Sequence, residues 1–336
     1  MSGGLLAADR PLAELFDLAL VDLDGVAYRG HERVPWASES LVEARERGMR
    51  TLFVTNNASR SPDVVAEQLT ELGIPTSGPD VMTAAQAAAQ LLATRLAGGA
   101  KVLVVGADAL RDAVRAQGFE VVSSADEHPD AVAQGFSPDI GWPQLAEAAY
   151  AVADGAWYVA SNRDLSLPTA RGFAPGNGSL VLAVTSATGV TPDSAGKPEP
   201  TMYQLAIARA GGVRTLVVGD RLDTDLAGAR AGDLPGLHVL TGVSTARDDV
   251  LAVPGQRPHY IGADLRALLQ PHPVPVPNDE WWVCREAAAR VAGGRLELRP
   301  GGDAVDLVRA ACAAAWAAAD AGLPVEPSSV PDLPSV

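Results

Sequence analysis

Leu18-Ala-Leu-Val21 is an unbroken apolar run, and Asp22-Leu-Asp24-Gly25 follows it without a gap. A run with no polar alternation suits a strand covered on both faces, the habit of parallel sheets. Parallel strands need crossovers, usually helices, so one such run predicts others with helical stretches between them. Thr51-Leu-Phe-Val-Thr55, Val213 to Val218 and Leu237 to Leu240 read as those further strands. Ser38 to Arg47, ended by Gly48, reads as a helix. The next helix has Ser61 as its cap, Pro62 at its first position and Gly73 at its end. Asp223 to Gly232 fits one crossover helix. The pattern predicts an α/β fold with a doubly wound parallel-sheet (Rossmannoid) core.

The middle of the chain breaks this rhythm. From about Gly98 a separate α/β series begins, with strands at Lys101 to Val105, Ala131 to Gln134 and Ala156 to Ala160. Helices at Ala107 to Gln117 and Pro143 to Asp154 lie between them, and a Gly-rich loop and helix, Ala174-Pro-Gly-Asn-Gly-Ser-Leu, follow. We read residues 98–190 as an inserted α/β cap domain, and 1–97 with 191–270 as the core. Pro271-His-Pro-Val-Pro-Val-Pro277 reads as a stiff linker. Residues 278–330 would then form a small C-terminal α+β appendage, a hairpin or two plus the helix Ala304 to Asp320. At about 60 residues it is marginal alone and must lean on the main body or a second chain, so a homodimer is one candidate arrangement.

Composition removes several functions. The 26 Lys+Arg against 41 Asp+Glu leave a net charge of −15, which argues against a broad nucleic-acid-binding face. No run approaches the roughly 20 apolar residues of a bilayer crossing, and the first ten residues lack the pattern of a secretory signal. Cys284 and Cys312 cannot make a disulfide framework and read as reduced thiols. A cytoplasmic protein with neither nucleic acid nor membrane as partner is the expectation.

Four segments sit at strand ends or in loops beside the sheet, where ligands bind in open parallel folds. They are Asp22-Leu-Asp24-Gly25-Val26, Thr55-Asn56-Asn57, Lys197-Pro198 and Gly219-Asp220-Arg-Leu-Asp223-Thr224-Asp225. Alone, each is weak, since a carboxylate at a strand end is often only a helix cap. Of Asp22 and Asp24, two apart just past a strand, one can be a nucleophile and the other an acid or base. Asp220, from a neighbouring strand, would converge on Asp22, and such carboxylates repel unless a cation lies between them. Hard oxygen ligands select Mg²⁺. If Asp22, Asp220 and Asp225 are ionised they supply −3, against +3 from Mg²⁺ with Lys197. A near-neutral site whose cations face the pocket suits a tetrahedral anion, and so phosphoryl transfer.

In their order the four segments resemble the motifs of the haloacid dehalogenase superfamily. The insertion between the second and third resembles the cap of its class IIA branch, as do Thr55-Asn56-Asn57, Pro175-Gly-Asn-Gly-Ser and Gly196-Lys197-Pro198. The likeness covers roughly residues 15 to 270. Within the branch the chain is similar to the actinobacterial glycerol-3-phosphate phosphatases, which also carry an appended region resembling part of an acetyltransferase fold. The resemblance implies an Mg²⁺-dependent phosphatase acting on a small phosphate ester through an aspartyl phosphate. It implies Asp22 as nucleophile, Asp24 as general acid and then base, and Thr55, Asn56, Asn57 and Lys197 as substrate-binding residues. It implies Asp22, Asp24 (through its carbonyl) and Asp220 as metal ligands, with Asp225 behind them. Asp223 reads as a solvated helix-start residue. Asp24 favours ester hydrolysis over dehalogenation, because a halide leaving group needs no proton.

The cap loop Asn162-Arg163-Asp164-Leu165-Ser166-Leu167-Pro168 resembles the family's specificity loop. Ser166 and Leu167 stand where several relatives carry a basic or aromatic side chain. That favours a small neutral polyol phosphate, glycerol 3-phosphate first, over a pyridoxal or aromatic phosphate and over phosphoglycolate; another small ester, of p-nitrophenyl type or a nucleotide monophosphate, is the alternative. Arg163 and Arg171 would weaken this reading if they faced substrate. A non-enzymatic phospho-acceptor module is the rival class, and Asp24 argues against it. The turn Arg299-Pro-Gly-Gly302-Asp-Ala304 resembles an acetyltransferase pyrophosphate loop, but Pro300 removes one donor, so a structural or dimerising remnant is the expectation.

Overall fold

In a computed structural model, residues 4–169 and 171–333 are described. They fall into two compact units. The first takes in the chain up to Phe53, Glu71–Ile74 and the chain from Ile207 onward; the second holds Val54–Thr70 and Pro75–Ala206.

The first unit is built on a parallel sheet in the order Tyr260–Gly262, Gly236–Val239, Thr215–Gly219, Leu18–Val21 and Arg50–Thr55, the last of which leaves this unit after Phe53. Leu18–Val21 pairs on one side with Thr215–Val218 and on the other with Arg50–Phe53, and all four of its residues are buried. Its unbroken apolar run thus reflects a central strand covered on both faces. The helix Ala37–Glu46 ends before Gly48, as read. The segment predicted as one helix from Asp223 is instead a π-helical turn, Leu222–Leu226, followed by a short α-helix, Ala227–Ala231. The Arg221 carbonyl accepts from both Asp225 N–H and Leu226 N–H, and this wider turn re-aims Asp225.

The tail belongs to the same unit. Val276–Asn278, Trp281–Cys284, Ala287–Ala292 and Arg295–Arg299 form an antiparallel sheet, and the helix Ala304–Asp320 follows. One apolar cluster joins Leu222, Leu226, Val250 and Ile261 to Val305, Val308 and Trp316 of the tail. The proline run, expected as a stiff linker, is tied down along its length. His272 is buried and bridged to Ala8, and Val276–Asn278 is an edge strand, where a proline costs no ladder hydrogen bond.

The second unit carries its own parallel sheet, in the order Asp193–Ser194, Trp157–Ala160, Ala131–Gln134, Lys101–Val105 and Glu120–Val122. The helices Asp108–Ala116 and Trp142–Ala153 lie between its strands in sequence. The loop from Asn162 runs into a hairpin, Ser166–Thr169 with Gly172–Pro175, and then the helix Asn177–Thr188. Gly106 and Ala107 connect the strand Lys101–Val105 directly to the helix Asp108–Ala116. Among the described residues, no helix is long and apolar enough to cross a membrane.

Candidate active site

Asp22 follows the central strand, and its backbone N–H donates to the Val218 carbonyl at 2.9 Å, so the sheet ladder continues into the site. Asp220 leaves the neighbouring strand at the same end. Carboxylate oxygens of Asp22, Asp220 and Asp225 all lie within 4.8 Å of one another. Asp220 and Asp225 are each 1% exposed, which strips them of the water that would screen their repulsion. Three hard oxygen donors this close suit a small divalent cation such as Mg²⁺.

The loops around Asp220 are shaped to hold it. A Cβ at Gly242 would lie 1.8 Å from Asp220 Oδ2, and one at Gly25 would lie 2.5 Å from it. Val243 N–H donates to that same oxygen at 2.7 Å. Thr241 Oγ1 donates to the Gly25 carbonyl at 2.6 Å, tying the loop after the first strand to the 241–243 turn. Asp24 is exposed and sits at a bridge to Tyr28. Asp225 Oδ2 accepts from Arg221 N–H at 3.2 Å. Asp223 is held by Arg221 at the surface, in line with a solvated role. His238, behind the Asp220 loop, is fully buried. Burial favours its neutral ring, but the Asp249 carboxylate beside it overrides this and raises its pKa above the usual imidazole value.

Thr55, Asn56, Asn57 and Lys197 come together within the second unit. Asn56 is the bracket: its Oδ1 accepts from Lys197 N–H at 2.9 Å and its Nδ2 donates to the Lys197 carbonyl at 3.1 Å. Buried Lys197 points its Nζ to the Val54 carbonyl at 3.2 Å. Gly196 permits this approach, since a Cβ there would lie 2.5 Å from the Ser161 carbonyl. Thr55 Oγ1 accepts from Asn57 N–H, and Asn57 Oδ1 accepts from Ser59 N–H.

Sequence reasoning missed Asp164, whose carboxylate accepts from Asn56 Nδ2 at 3.0 Å and 3.2 Å. It also missed Asn162, which donates to the Asn56 carbonyl at 2.7 Å and in turn accepts from Asn177 at its own carbonyl. The Asn of the Pro-Gly-Asn-Gly-Ser stretch thus anchors the loop at Asn162. Arg163 pairs with Glu199 at 2.7 Å, so its charge is already answered. Arg171 donates its N–H to Thr169 Oγ1.

A family model for haloacid dehalogenase-like hydrolases matches residues 19–120, and an HAD-hydrolase-like model matches residues 194–268. A model of a GCN5-related N-acetyltransferase-like domain matches residues 284–330. The chain belongs to the haloacid dehalogenase-like hydrolases. It is 47% identical to the D-glycerol 3-phosphate phosphatase of Mycobacterium tuberculosis, over 95% of this chain and 91% of that one. An acid sugar phosphatase of Staphylococcus saprophyticus is 35% identical, over 75% of this chain and 96% of its own. A crystal structure of an M. tuberculosis glycerol phosphate phosphatase in complex with magnesium superposes with a TM-score of 0.85 at 47% identity, covering 92% of each chain.

Proposed function

We propose that this chain is an Mg²⁺-dependent phosphatase that hydrolyses glycerol 3-phosphate through an aspartyl phosphate on Asp22. The observation that carries the reading is the convergence of half-buried Asp22 with buried Asp220 and Asp225, their carboxylate oxygens within 4.8 Å of one another. Asp22, Asp220 and the Asp24 carbonyl would hold the ion, with Asp225 behind them. Bound there, Mg²⁺ would offset their repulsion and draw charge from the phosphoryl oxygens.

Asp22 attacks phosphorus, and the bond to the substrate oxygen breaks. Asp24 gives its proton to the departing alkoxide, and glycerol leaves. As a carboxylate, Asp24 then takes a proton from the water that attacks phosphorus. The bond from Asp22 to phosphorus breaks, which frees phosphate and returns both side chains to their starting states. Thr55 and Lys197 hold phosphoryl oxygens, with Asn57 beside them. Because its side chain is occupied by Lys197 and Asp164, Asn56 contributes its main-chain N–H and fixes the lysine. We assign 98–190 as the cap that selects substrate, 1–97 with 191–270 as the core, and 278–330 as the tail. Ser166 and Leu167 bring no charge to the specificity loop, and Glu199 neutralises Arg163, so a polyol phosphate fits better than a second anion.

Phosphate release with Mg²⁺ should show the highest kcat/KM for glycerol 3-phosphate among phosphoglycolate, p-nitrophenyl phosphate and nucleotide monophosphates. A preference for phosphoglycolate would overturn the polyol reading. Asp22→Asn is expected to abolish turnover, and Asp24→Asn to slow it by about 10²–10⁴-fold. Near-normal activity in folded Asp22→Asn protein sinks the mechanism.

A further inference from the structure

Trp316, Asp249, His238 and Asp220 are joined by hydrogen bonds in that order. The Trp316 indole N–H donates to the Asp249 carbonyl at 2.9 Å. Asp249 Oδ2 lies 2.8 Å from His238 Nδ1, and His238 Nε2 lies 3.2 Å from the Asp220 carbonyl oxygen. Trp316, Asp249 and His238 are 3%, 0% and 0% exposed, so water cannot replace these contacts when one is lost. His238 pairs with Gly219 in the sheet register, which sets it beside the residue preceding Asp220.

The ring's partners fix which nitrogen donates. Nε2 faces a carbonyl, an acceptor only, and must carry a proton. With Asp249 ionised, Nδ1 is protonated as well; with the proton on the carboxyl group, Nδ1 accepts it. In both arrangements Nε2–H donates to Asp220. The same carbonyl accepts from Ser244 N–H at 3.0 Å, and the Asp220 carboxylate accepts from Val243 N–H at 2.7 Å. The main chain of Asp220 is therefore gripped by the strand-end histidine and by the 243–244 turn together, while its carboxylate meets Asp22 and Asp225.

We propose that His238, Asp249 and Trp316 are positioning residues through which the C-terminal helix fixes the main chain, and hence the carboxylate, of Asp220. The proposal rests on reading Asp220 as a ligand of the divalent ion. It gives the tail a part in the hydrolase site without any group of the tail reaching substrate. Trp316 is itself pinned, with the Arg257 guanidinium 5.3 Å from its ring centre and Arg257 Nη1 2.8 Å from Asp320 Oδ2. Helix, indole and histidine thus form one packed path in the interior.

Calorimetric titration of the full chain with Mg²⁺ alone, beside kcat, KM and thermal melting, tests it. His238→Leu is expected to weaken Mg²⁺ binding about 10–100-fold, the usual effect of removing a group that orients a ligand. His238→Gln, which restores an N–H donor, should recover most of that loss. Trp316→Phe keeps an aromatic ring but lacks the indole N–H, and should weaken binding about threefold. At saturating Mg²⁺, KM for the ester should stay put. If His238→Leu and Trp316→Phe bind Mg²⁺ like the wild type and only melt earlier, the proposal is overturned. Should His238→Leu fail to fold, Trp316→Phe decides by the same criterion. Failure of the underlying metal reading looks different: wild type and Asp220→Asn would then bind Mg²⁺ equally.

Discussion

A single methyl group at Gly242 would do disproportionate harm. Its Cβ would fall 1.8 Å from Asp220 Oδ2, an oxygen already fixed at 2.7 Å by the neighbouring Val243 N–H. Neither backbone nor carboxylate can give way without moving Asp220 from Asp22 and Asp225. Gly242→Ala is therefore expected to lower kcat/KM about 10–100-fold and to raise the Mg²⁺ concentration needed for half-maximal rate. Gly255→Ala, where a Cβ meets nothing within 4 Å, is the matched control. Equal Mg²⁺ dependence in the two variants would show that Asp220 tolerates the crowding. Asp22 and Asp220 were legible in the sequence because each closes a largely apolar run, so strand and chemistry mark each other. Gly242 carried no such mark among 33 glycines, since its importance comes from a residue 22 positions earlier that only the fold brings near. Asp164 and Asn162 were hidden for the same reason: they look like loop polars until Asn56 meets them.

The strand Tyr260–Gly262 carries a pH dependence through two buried histidines, His259 just before it and His272 against the Tyr260 ring. His259 Nδ1 accepts the Gly236 N–H at 3.0 Å, so that nitrogen must stay unprotonated. Burial, aided by the Arg230 charge, pushes its pKa down to about 4. Burial also takes His272 down to about 4, with Arg309, 3.3 Å from its Nδ1, adding to the effect against the pull of the Ala267 carbonyl. Both rings titrate near 6.5 when unfolded. Between about pH 6.5 and 4 the unfolded chain binds protons that the folded chain refuses, so their stabilisation is complete above that window and is lost as pH falls through it. Each unit of displacement is worth about 1.4 kcal/mol. Urea midpoints should drop clearly from pH 7.5 to pH 5, and His259→Gln and His272→Gln should each flatten that slope. An unchanged slope in both variants would show that other groups govern it. Elements with their own punctuation were legible. The helix Pro62–Glu71 starts where Ser61 Oγ accepts from Val64 N–H, and Ala304–Asp320 starts at Asp303, which caps Val305 N–H. The π-helical turn and the strand at Val276–Asn278 escaped because no local propensity encodes them; a carboxylate that must be re-aimed and a sheet that accepts one more edge decide them.

The three-part order read along the chain — core, insertion, tail — hides how the first unit is assembled from separated stretches of sequence. The tail was expected to lean on something. The cluster of Leu222, Leu226, Val250 and Ile261 with Val305, Val308 and Trp316 makes that partner the hydrolase core itself. A hydrogen bond reinforces it: buried Arg309, held by Asp306 on its own helix at 2.7 Å, donates to the Ile261 carbonyl of the core, also at 2.7 Å. No pattern within 278–330 could have announced this, because apolar helix positions look alike whether they meet their own sheet or a foreign one. Fully burying a Leu, Val or Ile is worth about 1.5–3 kcal/mol. Uncovering four of them is comparable with the roughly 5–15 kcal/mol by which a whole domain is stable. A chain ending at Pro275 should therefore be poorly soluble and lack a cooperative thermal transition, while a fragment of residues 276–336 should give the far-UV circular dichroism of an unfolded chain. The intact protein should show no separate melting step for the tail by calorimetry. A fragment that folds alone, or a truncated chain that melts within about 2 °C of the full one, would make the tail an independent module after all, since so small a shift corresponds to about 1 kcal/mol, far below the cost of uncovering four buried side chains.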